Sequence, residues 1–285
     1  MKGAVRRGLA ALGLEVWRIP RTGAPRQSFF DEERILRDLL RAVPVGNEFY
    51  VDIGAGNGEL HSNTVSLARS GWSGLAVECD GARFVRMAHR YRELPGIRLS
   101  RARVTPANVV SLLAAHDVPR DFAFLNLDID SFDYFVLQAI LGAYRPAIMC
   151  VEINEKIPPP IRFTVNWDPS HQYAGDHFYG MSLALLEDLA IRHRYALVAL
   201  EYNSAFLVAQ DVATMPAVAA ATAYRAGYIE RADRLDRLPW NRDMEHLLHV
   251  PPADAIVRLR RAFERYEGRF VCSDQPIDQL GVETS

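Results

Sequence analysis

Carboxylates stand at the ends of short apolar runs in this chain, where a sheet protein places its chemistry. Asp52 lies in the run FYVDI, and Glu78 closes the run GLAV. Between them stand Gly54, Gly56 and Gly58. Asp128, Asp130 and Asp133 follow a third run in NLDIDSFDY, and Glu152 and Asn154 follow a fourth in CVEINEK. Glycines let a backbone come close to a ligand. An acid at the tip of the next strand can accept hydrogen bonds from both hydroxyls of a ribose. The first cluster therefore suits an adenosine-containing cofactor. In the second, Asp128, Glu152 and Asn154 are hard oxygen ligands suited to Mg2+. A bound cation would lower the pKa of a coordinated hydroxyl. Two other readings stand beside the metal: Asp128 binds the cofactor's amine or the substrate directly, or Asp133 caps the helix that follows.

The glycine spacing bears on which cofactor fits. A dinucleotide fingerprint reads G-x-G-x-x-G and brings a pyrophosphate to a helix N-terminus. Here the order is D-x-G-x-G-x-G, with Asp52 two residues ahead of Gly54. A carboxylate there repels a pyrophosphate and attracts a sulfonium and an ammonium. The pattern looks like the one S-adenosylmethionine-dependent methyltransferases use. A nicotinamide or flavin cofactor, or a glycine turn with no ligand, are the competing readings.

These residues need a scaffold, and the periodicity supplies one. Apolar runs at residues 49–53, 74–77, 97–102, 122–127 and 147–153 alternate with helical patterns at 31–42, 63–70, 81–92, 106–116 and 134–143. A helix over 182–193 and two runs around Tyr202-Asn203-Ser204 complete the series, the latter as a tight hairpin. Alternation of this kind predicts an α/β fold: a mostly parallel sheet covered on both faces, closed by one antiparallel strand. Ligands of such sheets bind outside the carboxyl ends of the strands.

The chain has 285 residues, 49% hydrophobic and 24% charged, as in ordinary globular proteins. A net charge of -2 gives no electrostatic case for nucleic acid. No run is long enough for stable membrane insertion. Cys79, Cys150 and Cys272 are widely spaced and read as reduced thiols of a cytoplasmic protein. Residues 1–27 form a basic arm, with Arg6 and Arg7 on one face of a short amphipathic helix; contact with a membrane surface or a partner protein is one reading, a loosely docked helix the other. Residues 28–211 form the cofactor-binding domain. Residues 212–285, Ala- and Arg-rich and broken at Pro239, Pro251 and Pro252, form a helical extension that serves as a cap, a homo-oligomer contact or a partner contact.

The segment after the fifth run, IPPPIRFTVNWDPSHQYAGDHFYGMSL, is long for a connection. Its aromatic residues argue against disorder, so it reads as a lid or substrate wall. His171 and His177 lie within it, and His61 follows the glycine loop. Each is a candidate general base, because imidazole titrates near neutral pH. A packed or surface histidine is the alternative for each.

From residue 27 to 211 the chain resembles the FkbM-type S-adenosylmethionine-dependent methyltransferases of bacterial sugar, polysaccharide and antibiotic biosynthesis. The matching words are VDIGAGNGELHSNT, GWSGLAVECD, VTPANVVSLL, FLNLDIDSFDY, VEINEKIPPPIRFTVNWDPSH, GDHFYGMSL and NSAFLV. The resemblance implies a Rossmann-like class I methyltransferase sheet. It implies cofactor contacts at Asp52, Gly54, Gly56, Gly58, Asn63 and Glu78, with Val104 or Thr105 beside the adenine and Asp128 near the methionine end. Asp130, Glu152, Asn154 and the Tyr179-Gly180 turn fall on the acceptor side, with Asp128, Asp130, His171 and His177 as catalytic candidates. The family typically methylates hydroxyl oxygens of small molecules. Two departures, Asn126 for serine and Ser131 for glycine, fall at the expected reaction centre. They leave room for a second reading, a displacement or elimination without methyl transfer.

Overall fold

The computed structural model describes residues 28–277; the basic arm expected at 1–27 lies outside them. Seven strands form the main sheet: β1 (Phe49–Ile53), β2 (Ser73–Glu78), β3 (Ile97–Arg101), β4 (Phe124–Leu127), β5 (Ile148–Glu152), and the hairpin strands here termed β7 (Tyr195–Glu201) and β8 (Ser204–Ala209). Their order is β3-β2-β1-β4-β5-β8-β7. The first five are parallel, and β8 runs antiparallel between β5 and β7. This is a mostly parallel, Rossmann-like sheet with one antiparallel strand, as the alternation of runs and helices predicts.

Strand side chains alternate between two helical layers. Tyr50, Phe124, Ile148, Cys150, Phe206 and Val208 pack on α1 (Glu32–Ala42) and α2 (Val65–Arg69). Ala76 packs on Met87 and Tyr91 of α3 (Gly81–Tyr91) on the same side. Val51, Ile53, Leu75, Leu125, Leu127 and Met149 meet α4 (Val109–Ala115), α5 (Asp133–Leu141) and α6 (Leu183–Arg192) on the other. With both faces covered, β1 is buried along its whole length. Caps fix the helices that flank the site: Asp80 Oδ1 accepts from Arg83 N at 2.7 Å to open α3, a contact worth about 1 kcal/mol.

The expected elements are present, with ends that shift by one to three residues at most positions. Two strands went unforeseen. β6 (Arg162–Val165) and β9 (Phe270–Ser273) form a separate antiparallel pair, with Phe163 opposite Cys272. The extension does contain helices: α7 (Ala220–Tyr224), a π-helical turn at Arg225–Ile229, α8 (Arg234–Arg237) and α9 (Pro252–Ala262). Pro252, read as a break, instead opens α9, where its missing N–H costs nothing. Phe163, Phe178, Phe263 and Phe270 form a second core, with ring centroids 5.3–6.2 Å apart. The long connection after β5 therefore packs on the extension through this second core. Among the described residues no helix is long and apolar enough to cross a membrane.

Candidate active site

A cleft of about 960 Å³ opens at the carboxyl ends of β1, β2 and β4. The strand order reverses between β1 and β4, which is where open α/β sheets bind ligands.

The glycine loop forms its first wall. Gly54 N and Ala55 N both donate to Val77 O at 3.0 Å, which ties the loop to β2. Gly54 has φ +90°, and a Cβ there would stand 1.6 Å from the carbonyl oxygen of Asp128. Only glycine lets the tips of β1 and β4 approach this closely. Gly56, at φ +58°, has no neighbour within 4 Å of where a Cβ would be, so its backbone faces open cleft. Gly58 turns away from the cleft and packs on Met87 and Tyr91.

Glu78 lines the cleft, 5% exposed. Its Oε1 accepts from Asp80 N at 2.7 Å, which orients the carboxylate. Val104 lines the cleft as well. Thr105 does not: its N–H donates to Asn108 Oδ1 at 2.8 Å and its hydroxyl accepts from Asn108 N at 3.2 Å, which opens the turn before α4.

Asp52 departs from its expected place. It is 1% exposed and lies beneath the loop, outside the cleft lining. Thr64 Oγ1 donates to one of its oxygens at 2.6 Å and Asn126 Nδ2 to the other at 2.9 Å. Burial pushes its pKa up. Asn126, expected at the reaction centre, is the strut that holds Asp52 and accepts from Asn63 Nδ2 at 3.0 Å. Asn63 does reach the cleft, with its Oδ1 unpartnered. Asp52 thus reaches the cleft only through Asn126 and Asn63.

The second wall is acidic. Ligand oxygens of Asp128, Asp130 and Glu152 all lie within 4.8 Å of one another. Asp133 shapes this loop: its fully buried carboxylate accepts from Ile129 N at 3.0 Å and Ser131 N at 2.9 Å. Burial lifts its pKa to about 6. Asp130 sits at the apex in the left-handed region, φ 52°, a strained conformation of the kind that concentrates at functional sites. Glu152 Oε1 accepts from Asn203 Nδ2 at 2.9 Å, while its Oε2 is buried without a donor. The carboxyl groups of Asp128 and Glu152 are close enough to share a proton or a cation. Burial first, then repulsion from Asp128, holds Glu152 well above the usual carboxylate range. Asp128, whose side chain opens onto the cleft, is raised by desolvation and by repulsion from Asp130, against a hydrogen bond with Glu152 that lowers it. Asp130 is also raised by burial, against the pull of Arg83 and of Lys156.

Asn154 does not join the acids. It is fully buried, and its Nδ2 donates to the carbonyls of His177 and Tyr179 at 2.8 and 3.0 Å. Its work is to pin the Tyr179-Gly180 turn. His177 is likewise outside the cleft lining, its Nε2 3.0 Å from the Asp243 carboxylate. His171 lines the cleft, 3% exposed, with Nε2 unpartnered. Its ring packs edge-on to Phe132 and Phe178, and Arg103 donates to the carbonyls of Pro169 and His171. Burial lowers its pKa, so the imidazole is neutral at neutral pH and can accept a proton. His61 also lines the cleft, edge-on to Phe29.

The lining also takes Asn203 and Ser204 from the hairpin, Tyr173 from the long connection, and three residues with no distinguishing signal in the sequence, Glu32, Leu238 and Trp240. Glu32 Oε2 accepts from Phe30 N at 2.7 Å and Oε1 from Ser204 Oγ at 3.2 Å. Burial lifts its pKa to about 7 from 4.5. An acid raised in the folded state keeps its proton while the unfolded chain ionises. Its drag on stability is therefore absent below about pH 4.5 and complete above about pH 7. Glu32→Gln removes that drag, so urea unfolding should show wild type losing up to about 3 kcal/mol relative to the variant between those pH values. A pH-independent difference would contradict a buried, titrating Glu32.

No family model matches the chain, and no curated protein does. Solved structures similar to it include a SAM-dependent methyltransferase from Aquifex aeolicus, at 12% identity over 64% of this chain and 90% of that one, TM-score 0.38. The N-terminal domain of EvdMO1 with SAH bound is 13% identical over 73% and 96%, TM-score 0.43. The [4+2]-cyclase SpnF is 14% identical over 58% and 57%, TM-score 0.36.

Proposed function

We propose that this chain is an S-adenosylmethionine-dependent O-methyltransferase acting on a hydroxyl of a sugar or specialised metabolite. One arrangement carries the reading: the open backbone at Gly56 and the Glu78 carboxylate share one wall of the switch-point cleft, with Asp128, Asp130 and Glu152 across it. Glu78 would accept the ribose hydroxyls, Val104 would pack beside the adenine, and the loop around Gly54–Asn57 would take the methionine end. Asp128 stands next to that loop, since its carbonyl touches Gly54 and its N–H donates to Ile53 O at 3.0 Å.

Methyl transfer is an in-line displacement. The acceptor oxygen attacks the methyl carbon, the carbon–sulfur bond breaks, and the sulfonium becomes a neutral thioether. Holding the two atoms in line supplies much of the acceleration. A binding site that gripped the sulfonium too firmly would stabilise the reactant more than the transition state. The placement of Asp52 beneath the loop suits that requirement. The acceptor must also lose a proton. His171 is neutral with a free Nε2, and Asp130 presents a carboxylate at the apex of its loop; both are placed to receive it.

The three acids also fit a divalent cation. Oxygen ligands of Mg2+ lie about 3–4 Å apart, compatible with the spread of this cluster, and Glu152 Oε2 lacks a donor. The ligands would be Asp128, Asp130 and Glu152, in place of the Asn154 expected from the sequence. A bound ion would orient an acceptor hydroxyl and favour its ionised form.

Incubation with methyl-labelled S-adenosylmethionine and a panel of hydroxylated acceptors tests the reading by mass spectrometry. Gain of one labelled methyl group on an oxygen supports it. An acceptor that is consumed without gaining the label would favour the displacement or elimination reading instead.

A further inference from the structure

We propose that Trp240, supplied by the C-terminal extension, is the acceptor-binding wall, and that the acceptor is a ring bearing adjacent hydroxyls. This rests on the methyltransferase reading and names the part of the cleft that the cofactor leaves open. The cofactor wall comes from β1, β2 and the start of α4. The opposite end of the cleft is lined by Phe29, Glu32, Ser204, Leu238 and Trp240, with Tyr173 beside the acids.

Trp240 is held outward by its neighbours. It is 51% exposed, while Leu238 and Asn241 on either side are 2% and 1% exposed. Pro239 opens a 3-10 turn through Asp243 that presents residue 240 to the cleft. Asn241 Nδ2 donates to Glu155 Oε1 at 2.6 Å and to the Tyr228 hydroxyl at 3.0 Å. Tyr224 donates to the Glu155 carbonyl at 2.5 Å. Glu155 also takes Lys156 Nζ at 3.1 Å and the Tyr179 hydroxyl at 3.1 Å, all three residues buried. Glu155 is three residues beyond Glu152, so one short stretch fixes both the acid cluster and the tryptophan wall. The backbone around the indole is rigid, and its exposed face is apolar area kept available for a ligand.

The chemistry of that chamber narrows the ligand. A flat indole face suits the face of a ring. Carboxylates across from it suit hydroxyl groups on the ring's edge, and a cation on three acids would take two adjacent oxygens. The arginines that line the cleft, Arg83, Arg86 and Arg103, come from the β2–β3 side, away from Trp240. The chamber around Trp240 thus suits a hydroxyl-rich ring without negative charge. A saturated pyranose and an aromatic catechol share that chemistry.

Saturation-transfer NMR on the full chain loaded with S-adenosylhomocysteine separates the two sources. One arm uses methyl glucopyranoside, mannopyranoside and galactopyranoside; the other uses catechol. Ring protons of at least one arm should receive saturation, and Trp240→Ala should weaken that signal about fivefold, the scale of a lost stacking contact. Trp240→Phe should restore most of it. Calorimetry should find the affinity for S-adenosylhomocysteine unchanged in both variants. Absence of transfer in both arms with cofactor bound, or an undiminished signal in Trp240→Ala, overturns the proposal. Failure of S-adenosylhomocysteine to bind wild type removes the methyltransferase reading itself, and this inference with it.

Discussion

Replacing Gly54 by alanine is expected to cost on the order of 2–5 kcal/mol and to abolish cofactor binding. Two independent penalties combine. A left-handed conformation costs a non-glycine residue about 1–2 kcal/mol, and forcing a methyl into filled space adds roughly 1–3 kcal/mol or more. The obstruction is the Asp128 carbonyl oxygen, 1.6 Å from the added Cβ, and backbone cannot step aside as a side chain can. The tips of β1 and β4 would have to separate, carrying Asp128 away from the loop. Urea unfolding measures the first effect, and calorimetry with S-adenosylhomocysteine measures the second. Gly56→Ala serves as the comparison. It meets no atom within 4 Å, so its folding penalty should be confined to the conformational one. Equal stability losses in the two variants would contradict the close approach of the strand tips.

The second large effect has opposite signs for stability and function. Glu152→Gln should stabilise the metal-free protein by about 1–2 kcal/mol, because it replaces one of three crowded carboxyl groups with a neutral isostere. The amide oxygen can still accept from Asn203, and the new amide N–H can donate to Asp128. The same change should weaken Mn2+ or Mg2+ binding by at least about 100-fold, since it removes a charged ligand. Thermal unfolding in chelator and calorimetry with each ion read the two effects separately. A variant that unfolds at lower temperature and binds the ions as wild type does would refute the mutual repulsion and the ligand set together.

Much of the architecture was legible because it rests on local pattern. Apolar runs alternating with helical spacing gave the sheet and its helical layers. The Tyr202-Asn203 turn gave the antiparallel hairpin. Glu78, Gly54 and Gly56 were expected at strand tips facing one crevice, and they do line the cleft there. The failures have a common physical source, which is non-local pairing. β6 and β9 are four residues each and lie more than a hundred positions apart, so neither carries a periodic signal. Glu32 looks like an ordinary acid in the first turn of a helix, and only burial against Ser204 sets it apart. Trp240 lies in a segment without pattern, and its role comes from the Asn241–Glu155 contact.

Asp52 and Asn154 were misplaced for a different reason. Sequence reveals that a polar residue sits near a strand end, yet not which way it turns. Asp52 faces Thr64 and Asn126, and Asn154 faces the backbone of residues 177–179. Both lie behind the cleft surface: Asp52 reaches a lining residue only through Asn126, which accepts from Asn63, and Asn154 holds a turn outside the lining. On the proposed function, any attraction between Asp52 and a cationic cofactor would act only through the loop, and Glu78 would carry the direct recognition.

That makes Glu78 the point at which to test the account. Calorimetry of wild type with S-adenosylhomocysteine and with NAD should show one S-adenosylhomocysteine site and no NAD binding. Glu78→Ala should weaken S-adenosylhomocysteine at least about 30-fold, the loss of a charge-assisted pair of ribose hydrogen bonds worth roughly 2 kcal/mol. Wild type that binds NAD instead, or Glu78→Ala that binds S-adenosylhomocysteine with undiminished affinity, would contradict it.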